Sequence, residues 1–326
     1  MPRAIRIHAA GGPEVMQFEE VALAAPGQGE ARVRHTAIGV NYLDTYHRSG
    51  QYALPLPAGL GSEAAGVIEA LGPGTEGSGL AVGQRVAYCG GTPGSYSEAR
   101  NYPADRLVPL PDDIADRDAA ALMLKGLTVE YLFRRTFPLK GGETILFHAA
   151  AGGVGLIACQ WAKALGVRMI GTVSSDAKAA LAREHGCAET IVYTREDFAA
   201  RVKELTGGQG VPVVYDSIGK DTFPASLDCL SPRGLFVSFG SASGPVPPFN
   251  IMLLAQKGSL FATRPTLFSY AAKRSDLLEM TQQMFAMVRK GAVKADVRQT
   301  FPLAEAAAAH RALESRATTG ATLLLP

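Results

Sequence analysis

The chain has 326 residues, too many for one simple core, so two domains are expected. Hydrophobic residues make up 47% and charged residues 19%, the composition of a folded globular protein rather than a disordered one. With 32 basic against 30 acidic residues the net charge is +2, which provides no general attraction to nucleic acid or to a membrane surface.

The start of the chain, Met1 to Ala10, is charged and has no apolar run, so it does not read as a signal peptide. No uninterrupted apolar stretch is long enough to span a bilayer, and a cytoplasmic location is expected. About the first 120 residues read as short strands divided by Gly and Pro. Glu30–His35 alternates like a strand, Ala64–Leu71 is a second, ending in Gly72-Pro73-Gly74, and Gln84–Tyr88 is a third. Near Arg117 the texture changes, and Ala119–Phe133 is Ala/Leu-rich and helical in character. From Glu143 onward strands and helices alternate. Strands are predicted at Thr144–Phe147, Arg168–Val173, Thr190–Val192, Val211–Tyr215, Leu235–Phe239 and Ser259–Thr263. Helices are predicted at Val154–Leu165 and Ala177–His185. This succession predicts an α/β fold with a parallel, doubly wound sheet. A long helix over Ser275–Lys290, one more helix, and a strand at Thr322–Leu325 complete the chain, whose two ends are expected to pack together. The four cysteines, Cys89, Cys159, Cys187 and Cys229, are widely spaced with no CxxC pair. That spacing argues for buried free thiols and against a disulfide framework or a structural zinc site. The six histidines show no metal-ligand spacing, and no metal is expected.

The strongest local signal is a strand (Thr144–Phe147), a Gly-rich turn (His148–Gly153) and a helix from Val154. Gly152 permits close approach of a pyrophosphate, Gly155 permits close helix packing, and Gly153 and Val154 present N–H groups at a positive helix end. Ala150 stands where the first glycine of the fingerprint is usual. The bland alternative is a tight turn without a ligand. An NAD-binding fold places Asp or Glu at the end of the second strand. Here that strand ends Thr172-Val173-Ser174-Ser175. The Ser174 and Ser175 hydroxyls and Lys178 suit a 2′-phosphate, so NADPH is the expected cofactor. Asp176 complicates this, and is read as the N-cap of Ala177–His185. Tyr193 is placed to pack against the adenosine end, or to serve as an ordinary strand tyrosine. His148 reads as a satisfied structural histidine beside the phosphates.

The residues reached so far, together with Gly61-Ser-Glu-Ala-Ala-Gly66, Asn41-Tyr-Leu-Asp-Thr-Tyr46 and Leu124-Lys-Gly-Leu-Thr128, resemble the zinc-independent quinone oxidoreductases. This is the zeta-crystallin-like branch of the medium-chain dehydrogenase/reductase superfamily, and the likeness is to its bacterial members. It extends from Gly11-Gly-Pro-Glu-Val15 through Val214-Tyr-Asp-Ser-Ile-Gly219 and Thr263-Arg-Pro265 to the C-terminus. The resemblance implies a Rossmann domain inserted into a β-rich, GroES-like catalytic domain, with a cleft between them. The corresponding ranges are 1–125, 126–265 and 266–326. It further implies a homodimer joined through the Rossmann sheet edges. On matching positions it implies NADPH contacts at Asn41, Tyr46, Lys125, Thr128, Gly152, Gly153, Val154, Ser175, Lys178, Tyr193, Ser217, Phe239, Arg264 and Arg316.

Zinc alcohol dehydrogenases of this superfamily carry His before the Glu of a GHE motif. This chain has Ser62 before Glu63 and no Cys near Asn41. A zinc Lewis acid stabilises the alkoxide of a simple alcohol reaction. A conjugated acceptor delocalises charge and needs less help. Hydride transfer from NADPH to a quinone is therefore expected, with the cofactor providing the chemistry. Asn41, Tyr46, Tyr52 and Lys125 are candidates for lining the catalytic site, with a tyrosine O–H as one proton donor. Packing of the β domain is the alternative for the tyrosines, and a plain turn for Asn41. Asp44 and Glu63 read as buried structural acids. A 2-alkenal or enoyl reductase is the second reading, and an NADPH-binding protein acting on RNA or structurally the third. The near-neutral charge argues against nucleic acid as a partner.

Overall fold

The computed structural model describes residues Met1–Pro326 and resolves into two compact units. The first comprises Met1–Leu127, Ala271–Phe285 and Ala295–Pro326, and the second comprises Thr128–Tyr270 and Ala286–Lys294. No helix is long and apolar enough to cross a membrane.

The first unit is built on strand Glu30–Val40, whose alternate residues Ala31, Val33, His35 and Ala37 are buried. It is longer than the Glu30–His35 alternation suggests, because beyond His35 the strand is covered on both faces and loses its polar alternation. It pairs antiparallel with Glu63–Leu71, with Ala99–Pro103 and with the C-terminal strand Ala321–Leu325. The chain ends do pack together, Thr322 lying opposite Val40. Strand Val297–Pro302, with no apolar alternation to betray it, pairs beyond Ala321–Leu325. Register places Gly39 opposite Glu63. A separate three-stranded sheet joins Arg3–Ile7 to Met16–Glu20 and Ala58–Gly59.

The second unit is a six-stranded parallel sheet. Its spatial order is Glu189–Val192, Arg168–Val173, Thr144–Phe147, Val211–Asp216, Leu230–Ser238 and Phe261–Thr263. Numbered along this unit the order is 3-2-1-4-5-6, the doubly wound arrangement predicted above, and it reverses beside Thr144–Phe147. Leu146, Ile170, Ile191 and Val214 fill its core. Phe147 packs at 5.6 Å from the Tyr215 ring and 5.5 Å from Phe239. The helices begin one residue earlier than the sequence suggests, at Gly153 and Asp176. Helix Phe198–Leu205, unforeseen in the sequence, is capped by Asp197, which accepts the Ala199 and Ala200 N–H groups. All four cysteines are buried and free.

Two histidines are buried in the first unit with both ring nitrogens engaged. His35 Nδ1 meets the Ser97 carbonyl at 2.6 Å, and its Nε2 meets the Tyr88 hydroxyl at 2.8 Å. His310 Nδ1 accepts from Arg48 at 3.0 Å, and its Nε2 meets the Tyr96 hydroxyl at 3.0 Å. Burial lowers His35 to about 4, and burial with the adjacent Arg48 charge lowers His310 to about 3. The unfolded chain takes up these protons near pH 6.5 while the fold refuses them, so stability is full above that value and lost on acidification. Each histidine costs about 2 kcal/mol at about pH 5. Asp44, raised to about 6 chiefly by burial, works the other way, since the fold keeps its proton between about 4 and 6 and regains about 1 kcal/mol. The urea midpoint is therefore expected to fall between about pH 7 and pH 5, with a shallower fall in His35→Gln. A midpoint that stays level or rises would contradict this assignment.

Candidate active site

In the second unit the phosphate turn leaves strand Thr144–Phe147 at the point where the sheet order reverses. Ala149 adopts φ +56°, and its carbonyl accepts the Gly152 N–H at 3.0 Å, closing the turn. Helix Gly153–Ala164 follows with Gly152 at its N-cap. The Leu156 N–H donates to the Gly152 carbonyl, so the Gly153, Val154 and Gly155 N–H groups ahead of it have no helical acceptor. A Cβ on Gly152 would meet only the Ala149 carbonyl oxygen, at 3.3 Å, and otherwise open space. A Cβ on Gly155 would lie 2.3 Å from the Ala149 carbonyl oxygen and 2.6 Å from Ala150. Gly155 thus packs against the turn. Ala150, in the first glycine's place, is fully buried, and the neighbouring strand makes room for it. A Cβ on Gly171 would lie 2.5 Å from the Ala150 Cβ. The bare helix end and the glycine cradle fit a dinucleotide pyrophosphate.

His148 spans this turn. Its Nδ1 meets the Thr172 hydroxyl at 2.9 Å and its Nε2 meets Ser226 Oγ at 3.0 Å. Ser226 donates to Asp216 Oδ2 at 3.0 Å. Asp216 also accepts from Thr222 and from the Ile218 and Gly219 N–H groups. Burial lowers the His148 pKa, with Asp216 opposing. Asp216 was not singled out in the sequence, although its position at the end of the fourth strand marks the same edge of the sheet. Ser217, next in the chain, accepts the Ala242 N–H with its carbonyl. Phe239 donates its N–H to the Asp216 carbonyl at 2.8 Å, and Arg264 donates to the Ser238 carbonyl at 3.0 Å.

At the end of the second strand the structure brings Ser174, Ser175, Lys178 and Tyr193 together. Ser175 Oγ accepts the Lys178 N–H at 3.4 Å, the Thr194 hydroxyl donates to the Ser174 carbonyl at 3.2 Å, and the Tyr193 N–H donates to the Val173 carbonyl at 3.1 Å. Asp176 is not the N-cap. Ser175 takes that position because its extended backbone directs Oγ back at the helix N–H groups, and Asp176 is the first helical residue, paired with Arg195.

In the first unit Asn41 caps helix Tyr42–Ser49, its backbone N–H donating to Asp44 Oδ2 at 2.9 Å. It is therefore more than a plain turn residue. Asn41 Nδ2 donates to Glu63 Oε1 at 2.9 Å, and Lys125 Nζ donates to the same oxygen at 2.6 Å. Glu63 Oε2 accepts the Leu124 N–H at 2.6 Å. Glu63 and Lys125 are both buried. Glu63, a buried acid as expected, thereby joins two candidate site residues that lie 84 positions apart in the sequence, which no local pattern reveals. Ser62 donates to Asp44 Oδ1 at 2.7 Å, and Tyr96 donates to Asp44 Oδ2 at 2.9 Å. Tyr46 lies in the helix and is buried, with its ring edge-on to Tyr52 at 5.4 Å. Tyr52 is 37% exposed in the following loop. Thr128 is buried at the start of the second unit, while Arg316, at φ +58°, belongs to the first. No three His, Cys, Asp or Glu side chains stand together as a metal-ligand set.

A Rossmann sheet with this phosphate turn and a separate β-rich unit define a dinucleotide-dependent dehydrogenase or reductase. Residues 27–112 match the alcohol dehydrogenase GroES-like domain, and residues 153–284 match the zinc-binding dehydrogenase family. A quinone oxidoreductase of Pseudomonas aeruginosa is 57% identical over 100% of both chains. A 2-haloacrylate reductase of a Burkholderia species is 48% identical over 100% of this chain and 99% of its own. The crystal structure of Escherichia coli quinone oxidoreductase complexed with NADPH superposes with a TM-score of 0.97 at 50% identity, covering 99% of this chain and 100% of that one. The chain belongs to the quinone oxidoreductase family of the medium-chain dehydrogenases and reductases.

Gly155→Ala tests the cradle. The added methyl must displace turn backbone, at a cost of about 1–3 kcal/mol. NADPH affinity by fluorescence titration is expected to fall at least about tenfold while the far-ultraviolet dichroism is kept. Unchanged affinity would remove the need for a glycine there.

Proposed function

We propose that this chain is an NADPH-dependent quinone oxidoreductase whose own side chains, in place of a metal, stabilise the developing oxyanion. The observation that carries the reading is full-length likeness to quinone oxidoreductases at 50–57% identity, one of them solved with NADPH. When bound, NADPH supplies the hydride from C4 of its nicotinamide. The Gly153 and Val154 N–H groups would hold its pyrophosphate, and Ser174, Ser175, Lys178 and Tyr193 its 2′-phosphate and adenosine end. Thr128, Ser217, Phe239, Arg264 and Arg316 are further proposed contacts. Lys125 has three N–H donors, of which Glu63 takes one. The remaining donors suit a quinone oxygen gaining negative charge. Asn41, fixed by Glu63, orients the ligand beside it. Tyr52, at the surface, is the better placed of the two tyrosines to hand over a proton, since Tyr46 is buried.

The likeness to a 2-haloacrylate reductase favours a second reading, in which hydride goes to the β-carbon of an activated alkene. We further propose a homodimer joined through strand Phe261–Thr263. That strand is the sheet's edge, where Phe261 is 61% exposed, and exposed Ile251 and Met252 precede it. A cytoplasmic location belongs to the same proposal.

Steady-state NADPH oxidation with 1,4-naphthoquinone and with a medium-chain enone separates the two substrate classes. Quinone turnover is expected, and turnover of the enone alone would reverse the assignment. In Lys125→Met, kcat/KM for the quinone is expected to fall about 100-fold. A loss below threefold would take Lys125 out of the chemistry. Lys178→Ala is expected to weaken NADPH about tenfold and NADH little. Equal losses would remove the 2′-phosphate assignment.

A further inference from the structure

In a dinucleotide-binding fold an acid at the end of the second strand accepts the ribose 2′-hydroxyl and repels a 2′-phosphate. This chain has an acid near that position, Asp176, the first helical residue beyond the strand's end at Val173, immediately after Ser175 and two residues before Lys178. Left bare, it would put a negative charge beside the side chains assigned to the phosphate. The structure shows how that charge is met. The loop after the third strand is tied to the end of the second by two bonds, Tyr193 N–H to the Val173 carbonyl and Thr194 hydroxyl to the Ser174 carbonyl. The next residue, Arg195, has its N–H on the Val192 carbonyl, and its guanidinium reaches Asp176 as a two-pronged fork. Nη1 donates to Oδ2 at 2.7 Å and Nη2 donates to Oδ1 at 2.5 Å.

We propose that Arg195 is a cofactor-selectivity residue: by occupying both oxygens of Asp176 it masks the carboxylate and allows this site to accept the 2′-phosphate of NADPH. The inference rests on the NADPH reading above and deepens it. Three observations bear on it. Both side chains are largely exposed, at 59% and 71%, so the pair contributes little to holding the fold. The fork takes one lone-pair site on each Asp176 oxygen and neutralises the carboxylate, which weakens both oxygens as acceptors for a ribose 2′-hydroxyl. The bonds from Arg195 also hold the Asp176 carboxyl below the usual carboxylate range, so the acid stays ionised and cannot escape repulsion by taking a proton. The masked pair has no net charge, which leaves Lys178 and the serine hydroxyls to set the local potential. Removing Arg195 alone would both expose a repelling charge and free the acceptors for NADH.

The test compares the ratio of kcat/KM for NADPH to that for NADH in the wild type, Arg195→Ala, Asp176→Asn and the double variant, with naphthoquinone as acceptor. Arg195→Ala is expected to lower the ratio on the order of tenfold, less so at high salt because the exposed carboxylate is screened. Adding Asp176→Asn is expected to restore it to within about threefold of wild type. A ratio unmoved by Arg195→Ala overturns the proposal. So does failure of Asp176→Asn to rescue, which would mean that Arg195 grips the phosphate directly. Lys178→Ala in parallel separates the two levels. If it loses NADPH selectivity while Arg195→Ala does not, masking is wrong and the phosphate site stands. If wild type has no preference for NADPH, the cofactor reading falls and the proposal with it.

Discussion

The first unit is organised around one buried carboxylate. Glu63 has no exposed surface, and an ionised acid in such a place costs several kcal/mol unless its oxygens are filled. Here they are filled by an amide, an ammonium and a backbone N–H, from Asn41, Lys125 and Leu124. Those donors come from a helix cap and from helix Asp116–Tyr131, so satisfying one charge fixes both elements against the strand. The geometry needs a glycine opposite. A Cβ at Gly39 would sit 2.2 Å from Glu63 Oε1 and 2.4 Å from the Ala120 carbonyl oxygen. Register, helix approach and the positions of two candidate site residues are therefore one constraint.

The second unit solves a different problem, that of presenting unpaired N–H groups without collapse of the turn that carries them. Ala149 accepts a left-handed backbone, Gly155 removes the methyl that would push the helix away, and Gly171 yields its side-chain space to Ala150. The last of these explains how a fingerprint missing its first glycine still forms its turn. The glycine has in effect moved to the neighbouring strand.

Most of the parallel sheet was legible in the sequence, because its strands are apolar runs bounded by glycine and its helices have clear ends. Arg168–Val173 and Thr144–Phe147 coincide with their predicted bounds. The short or half-exposed elements were not legible. Strand Val297–Pro302 alternates only between partly buried and exposed residues, and the two-residue strand Ala58–Gly59 has no pattern at all. The candidate site divides similarly. Glycines and helix starts are local and could be read directly. The linkage of Asn41 to Lys125 through Glu63, and of Asp176 to Arg195, joins residues far apart in sequence, and only folding reveals it. Asp176 illustrates the limit, since Ser and Asp are equally good caps and the sequence could not say which of the adjacent pair would serve.

The bridging imidazole of His148 has one more consequence. Both its nitrogens are engaged, and burial disfavours its charged form, lowering its pKa against the opposing pull of Asp216. The turn it braces presents the backbone N–H dipoles of Gly153, Val154 and Gly155. Dipoles of that kind carry no exchangeable proton, so what the turn offers an anion does not depend on a charge on His148.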